Sequence, residues 1–384
     1  MEIIKSKNFD DIRPLYDSEV PSTIKNLVND PLFRAAVEPI IHPLAWNDFA
    51  SAMNGCKTVA DFQRNIIYPF VRQLIDKTTT KMRGLGWDNL DKIQSHIYIS
   101  NHRDIVLDAA FLNILFFETN IPTSEIAIGD NLLIYPWINE LVRLNKSFIV
   151  RRNLSVRETL EASKHLSEYI FDTVSNREQS VWIAQREGRA KDSNDKTQTS
   201  LLKMLTLYNN SNPVEALEEL NIVPVSITYE YDPCDFLKAK EYQLKRDDPE
   251  YKKTQKDDLE NMMTGILGFK GNVYFHFGQP INHKLSSVGN EIKRNEILEK
   301  ASAFIDIEIY KNYVFFPSNY IAYDRMTGTS MFVDKYTEEN VKEFDEYLEK
   351  QIQKVNIENK DTEFLREKII EMYGNTVKNF LAVQ

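Results

Sequence analysis

The sequence predicts an α/β fold: a mixed, mostly parallel central sheet covered by helices, with helical N-terminal and C-terminal regions on either side. Three observations carry this expectation. Short apolar runs at 96–100, 124–128, 147–151, 180–185, 222–229 and 272–277 alternate with helical stretches, the pattern of a sheet covered on both faces. The residues before about 85 place apolar side chains at helical rather than alternating spacing. Beyond 288 the spacing is helical again, with charged faces. The expected division is an N-terminal helical region at 1–85, an α/β domain at 86–287 and a C-terminal helical region at 288–384 packed on the core.

Taken in order, Thr23–Val28 and Phe62–Ile75 step apolar residues along a helix, with Pro14, Pro21, Pro31 and Pro69 as punctuation. Gly84 and Gly86 close that region. His96–Ser100 alternates apolar and polar residues as a half-buried strand does, and Ala109–Phe117 is apolar and rich in helix formers. Ser155 and Glu158 form a capping box at the head of a helix between 151 and 180, with Leu166, Ile170 and Val174 along one face. Residues 240–260 are crowded with Lys, Asp and Glu and read as a solvated helix or excursion. Charged helices follow around Val341–Lys354 and Phe364–Leu381, while Tyr313–Tyr320 is too aromatic for a solvent face and reads as a buried connection.

Composition narrows the function. At 384 residues, 42% hydrophobic and 27% charged, the chain is that of an ordinary globular protein with ample core. A net charge of −10 argues against a nucleic-acid partner and requires any membrane-facing or phosphate-binding patch to be local. The two cysteines, Cys56 and Cys234, are far apart, show no metal-ligand spacing and suggest a reducing compartment. No basic segment followed by an apolar run opens the chain, so no signal peptide is expected, and no apolar run is long enough to span a bilayer.

The chemistry centres on Ser100–Asp108. His102 falls at a strand-to-helix crossing, where a side chain is exposed yet held by rigid elements. Asp104 and Asp108 both lie within reach of one imidazole nitrogen. A carboxylate there fixes the other nitrogen as a proton acceptor, the arrangement of a general base. Arg151 and Arg152, adjacent at a strand end before a capped helix, suit a phosphate through guanidinium forks and a helix N-terminus. The apolar strand Trp182–Ala184 ends in the basic, glycine-containing loop Arg186–Lys191, again fitted to an anion.

In order and spacing these segments resemble the four blocks of the glycerolipid acyltransferases, and most of all the glycerol-3-phosphate acyltransferase branch. His102-Arg103-Asp104 with Asp108 beyond is similar to the family's His-Arg-Ser and Asp. Ile128–Leu132 and Phe148–Arg152 resemble its second block, Glu187-Gly188-Arg189-Ala190-Lys191 its third, and Pro224–Glu230 its fourth. Val273–Ile281 looks like the Phe-Gly-x-Pro strand that closes such domains. The resemblance covers roughly 95–282. Two departures stand out: the family spaces its His and Asp by four residues, where position 107 here is Leu, and the third block is one residue shorter. The apolar run that follows Asp108 favours it as the orienting acid, with Asp104 at the family's Ser position.

The resemblance implies a glycerol-3-phosphate acyltransferase-like fold and an O-acyltransferase of phospholipid biosynthesis. The donor would be an acyl thioester, acyl-CoA or acyl carrier protein, and the acceptor glycerol 3-phosphate or lysophosphatidate. It assigns catalysis to His102, Asp108 and Asp104, and substrate binding to Arg103, Asn131, Arg151, Arg152, Glu187, Gly188, Arg189, Lys191 and Pro224. No metal or further cofactor is expected. Because acylated products partition into lipid, a peripheral position on the inner, cytoplasmic face of a membrane is expected, through Lys77–Arg83 or the Trp137 segment. The side chains of Arg151 and Arg189 are expected to converge on a phosphate beside His102. The alternative is a catalytically reduced lipid- or acyl-carrier-binding protein that keeps the fold, and no Gly-x-Ser-x-Gly elbow points to a serine hydrolase.

Overall fold

The computed structural model describes residues 8–209, 212–288 and 293–384. Its centre is a seven-stranded sheet of β1 (Lys81–Leu85), β2 (Ile97–Ser100), β3 (Glu125–Gly129), β4 (Ser147–Val150), β5 (Val181–Ala184), β6 (Ile222–Tyr229) and β7 (Asn272–Phe277). The strand order is β1-β7-β6-β2-β5-β3-β4. Five strands, β2 to β6, run parallel; β7 is antiparallel to β6 and carries β1 parallel to itself. The carboxyl ends of β2 to β6 therefore open on one edge, where ligands of open parallel sheets bind.

Alternation along β2 builds two cores. Ile97 and Ile99 face the helices Val156–Phe171, Thr199–Leu205 and Arg294–Lys311. Tyr98 faces the other way, with Trp182, Phe275 and Phe277, onto the helices Tyr68–Thr78 and Leu107–Glu118. All four β2 residues are buried, as in a strand covered on both faces. Two further clusters are helical. One joins the helices between residues 20 and 67 with Leu144, and the other packs the helices Pro317–Thr327, Glu338–Lys354 and Thr362–Leu381 on Asp235–Asp247.

The six expected strands are present, and a seventh, β1, lies before the expected boundary at 85/86. Its sequence, Lys-Met-Arg-Gly-Leu, carries two charges and a glycine, which depress strand propensity; pairing with β7 overrides this. Gly84 is required there because the Trp87 ring occupies the space a Cβ would take. Within the stretch 240–260 only Glu241 and Gln243 are buried and the rest is half-buried or exposed, in keeping with the solvated reading. The first part of the stretch belongs to the helix Asp235–Asp247, which buries seven residues including Lys238, Glu241 and Gln243. Tyr313 and Phe316 are buried, so the aromatic stretch is a connection into the helix at Pro317. Among the described residues, no helix is long and apolar enough to cross a membrane.

Candidate active site

β2 ends at Ser100, and the chain that follows is pinned at every step. The amide of Asn101 extends the sheet with its side chain: Nδ2 donates to the Ile227 carbonyl at 2.9 Å and Oδ1 accepts from the Ile227 N–H at 2.7 Å. Ser100 Oγ accepts from the Trp182 indole at 3.0 Å. The next residue, His102, projects from this anchored turn. Its Nδ1 lies 2.8 Å from Asp108 Oδ2, and its ring stands edge-on to Trp182. The His102 side chain is 14% exposed, whereas Asp108 is fully buried.

Asp108 sits in the first turn of the helix Leu107–Glu118, where the helix dipole favours a carboxylate. Besides the imidazole, its Oδ2 accepts from the backbone N–H of Arg103 at 2.7 Å and of Asp104 at 3.0 Å. Its Oδ1 accepts from the Tyr229 hydroxyl at 3.0 Å. Burial pushes the Tyr229 pKa well up, so the hydroxyl remains a donor. Four donors hold this carboxylate, and it in turn holds the Nδ1–H tautomer and leaves Nε2 as the free base.

Asp104 has a different position. Its Oδ1 accepts from the N–H of Val106 and Leu107, both at 2.8 Å, and so caps the helix that carries Asp108. Burial, reinforced by Asp108, raises its pKa. Its other oxygen approaches Gly265 of the helix Gln255–Leu267 so closely that any Cβ there would overlap it. Arg103 turns inward, donating to Ser193 Oγ at 2.5 Å and to buried Asp195 at 2.7 Å, and thereby ties the histidine turn to the 185–198 loop.

That loop also starts from a pinned end, with the Gln185 N–H on the Ser100 carbonyl. Gly188 turns it at φ +68°, a left-handed conformation that favours glycine. Arg189 is directed back toward the site and donates to Asn261 Oδ1 at 2.9 Å, while its other terminal nitrogen is buried without a partner. Its charge acts on Asp104. Lys191 pairs with Glu241, and burial lowers its pKa. Pro224 lies in mid-strand opposite Ile99, one position past the last β6–β7 pair, where its missing N–H costs no ladder bond.

The two adjacent arginines diverge, as side chains in extended backbone do. Arg152 pairs with Glu187, with its backbone N–H on Asp130, and it crowds Gly129 together with Asn131. Arg151 instead meets Asp11 at 2.7 Å, beside His165, which bonds the same carboxylate at 2.9 Å. It lines a cavity of about 360 Å³ with Leu154, Glu158 and Leu166. The expected convergence of Arg151 and Arg189 is therefore corrected. Arg151 is engaged at the β4 edge by the N-terminal segment, and Arg189 lies under the helix 255–267. The sequence reading missed Tyr229, Asn101 and Asn261. Tyr229 was visible as the last residue of a β6 strand ending at the same edge as His102; Asn261, on a distant helix, left no signal.

Cys234 is buried, and its pKa is pushed up to about 12, mainly by burial, so it is a poor nucleophile at neutral pH. Among the described residues, no group of three or more His, Cys, Asp or Glu side chains could hold a metal ion.

A family model described as Acyltransferase matches residues 83–228. This stretch is an acyltransferase domain. The matched stretch of the acyltransferase domain holds His102, Asp108, the Arg151–Arg152 pair and the 185–198 loop. No curated protein matches the chain. Among solved structures, the crystal structure of the 1-acyl-sn-glycerophosphate (LPA) acyltransferase PlsC from Thermotoga maritima aligns with 77% of this chain and 98% of that chain. The identity is 12% and the TM-score 0.37, a likeness too loose to bear on the substrate of the acyltransferase domain.

Proposed function

We propose that the protein transfers a fatty acyl group from an acyl thioester to a hydroxyl of glycerol 3-phosphate or lysophosphatidate. The observation that carries this reading is the Asp108-held His102, with Nε2 free at a partly exposed site inside the acyltransferase domain. His102 takes the proton of the acceptor hydroxyl as that oxygen attacks the thioester carbonyl. The new C–O bond forms, the C–S bond breaks, and the imidazolium returns the proton to the departing thiolate. A thioester is already activated, so no covalent enzyme intermediate is needed. The imidazolium formed in mid-reaction is stabilised by Asp108, as in other carboxylate–histidine pairs.

For the acceptor phosphate we assign Arg189. Its charge, like that of Lys270, acts on Asp104, and it has a donor without a partner. Arg152 and Glu187 form a second polar corner at the same sheet edge. Coenzyme A and acyl carrier protein are both donors of the required chemistry. The test is thiol release from acyl-CoA or acyl carrier protein with and without glycerol 3-phosphate and lysophosphatidate, followed by mass spectrometry of the products. Acceptor-dependent release supports the reading. Binding without release would replace it with the binding-protein alternative.

A further inference from the structure

The helix Gln255–Leu267 is built inside out. Of its thirteen residues only Asn261 and Gly265 are buried, and both face the site: Asn261 accepts from Arg189 and Gly265 abuts Asp104. The opposite face is apolar. Leu259, Met263 and Leu267, each four residues apart, are 50%, 38% and 55% exposed, and Phe269 just beyond is 55% exposed. An ordinary surface helix buries its apolar stripe and presents its polar one. A contiguous apolar face on a helix attached mainly through polar and small residues needs a cover.

Charge identifies the cover. The acidic residues of this helix are already occupied: Asp257 in the capping box with Thr254, Asp258 by Lys253 at 2.5 Å, and Glu260 by Lys240 at 3.8 Å. Lys252 and Lys256 at its start are exposed, and among the described residues no carboxylate pairs with them. At its far end the chain bonds directly to the 78–80 segment, with the Lys270 N–H on the Thr78 carbonyl and the Thr80 N–H on the Gly271 carbonyl. That brings Lys77, exposed and without an ion-pair partner among the described residues, beside the same end. In a chain of net charge −10, an apolar stripe with free lysines at both ends is complementary to an anionic interface.

We propose that the outer face of the 255–267 helix docks the protein on an anionic lipid bilayer. The acyl-transfer reading supplies the reason for a lipid partner, and this proposal deepens it by naming the surface. Docking there would set the bilayer directly over the helix that contacts Arg189 and Asp104. At the other expected surface the Trp137 ring packs on Phe33 and Tyr135, with Ile134 and Tyr135 beside it 40% and 45% exposed but in no polar-faced helix of this kind.

The test is co-sedimentation of the full chain, with no thioester present, on vesicles of phosphatidylcholine alone or mixed with phosphatidylglycerol. The chain is expected to bind the mixed vesicles. Combined Leu259→Ser, Met263→Ser and Leu267→Ser should weaken binding by about 100-fold or more. Combined Lys77→Glu, Lys252→Glu and Lys256→Glu should weaken it by about fivefold or more per lysine, on the anionic vesicles only. Val156→Ser with Leu160→Ser, an exposed apolar pair elsewhere, should leave it unchanged. Should the serine variant fail to fold, the lysine variant decides. No binding by the unaltered chain, or undiminished binding by the lysine variant, overturns the proposal. So does a dimer that the serine variant dissociates, which would assign this face to a second copy. Because no substrate is present, failure here leaves the acyl-transfer chemistry untouched.

Discussion

At the scale of single residues, the site separates two aspartates that the sequence leaves side by side. Asp108 orients the imidazole, and Asp104 caps the helix that presents Asp108. Their spacing cannot distinguish them; the choice depends on how tightly the chain turns after His102. Asp108→Asn keeps the shape but removes the acceptor at Nδ1, and kcat is expected to fall by about 10²-fold or more with little change in KM. Arg189→Ala should raise the acceptor KM by about 10- to 100-fold through loss of one charge-assisted bond, ~1.5–3 kcal/mol. Arg151→Ala, whose guanidinium is held by Asp11, should change it little. Initial-rate kinetics on the two variants separates these outcomes. A pH effect is expected farther away, at Asp235, which accepts from Tyr373 at 3.0 Å and from Tyr347 and Gln351. Burial raises its pKa to about 7, despite those bonds. The unfolded carboxyl loses its proton near pH 4, the folded one near pH 7, so between them the folded state binds more protons and stability falls as pH rises. Thermal unfolding from pH 5 to 8 should show a smaller loss for Asp235→Asn than for the unaltered chain.

At the scale of elements, the buried strands of the parallel core were legible because each is a short apolar run between turn signals. β1 was not, because an edge strand needs only backbone pairing and tolerates Lys81, Arg83 and Gly84. The start of the helix Asp235–Asp247, ahead of the solvated stretch, is buried although charged. Its Lys238 and Glu241 are buried by pairing with Asp232 and Lys191, and pattern counting treats every charge as a surface residue. Gly265 shows an element fixed by one position. Gly265→Ala puts a methyl group into the Asp104 carboxylate, which is itself held by two backbone N–H groups. A loss of ~1–3 kcal/mol is expected from this overpacking, measured by denaturant unfolding. For comparison, Phe111→Ala, in the fully buried row behind His102, should cost ~3–5 kcal/mol.

At the scale of the whole molecule, the sheet sets five loops on one edge, and two distant parts of the chain complete what the loops begin. The N-terminal segment engages Arg151 through Asp11, and the helix 255–267 engages Arg189 through Asn261. Neither contact leaves a local trace in sequence, since each joins residues more than 70 positions apart. The histidine turn and the general order of the blocks were readable; the partners of the cations were not. The central claim is that His102 is the base of an acyl transfer. Its most direct test is acceptor-dependent thiol release by His102→Ala compared with the unaltered chain, with circular dichroism to establish that both are folded. A loss of about 10²- to 10⁴-fold in a folded variant is the predicted result. Near-normal release by that variant would contradict the account.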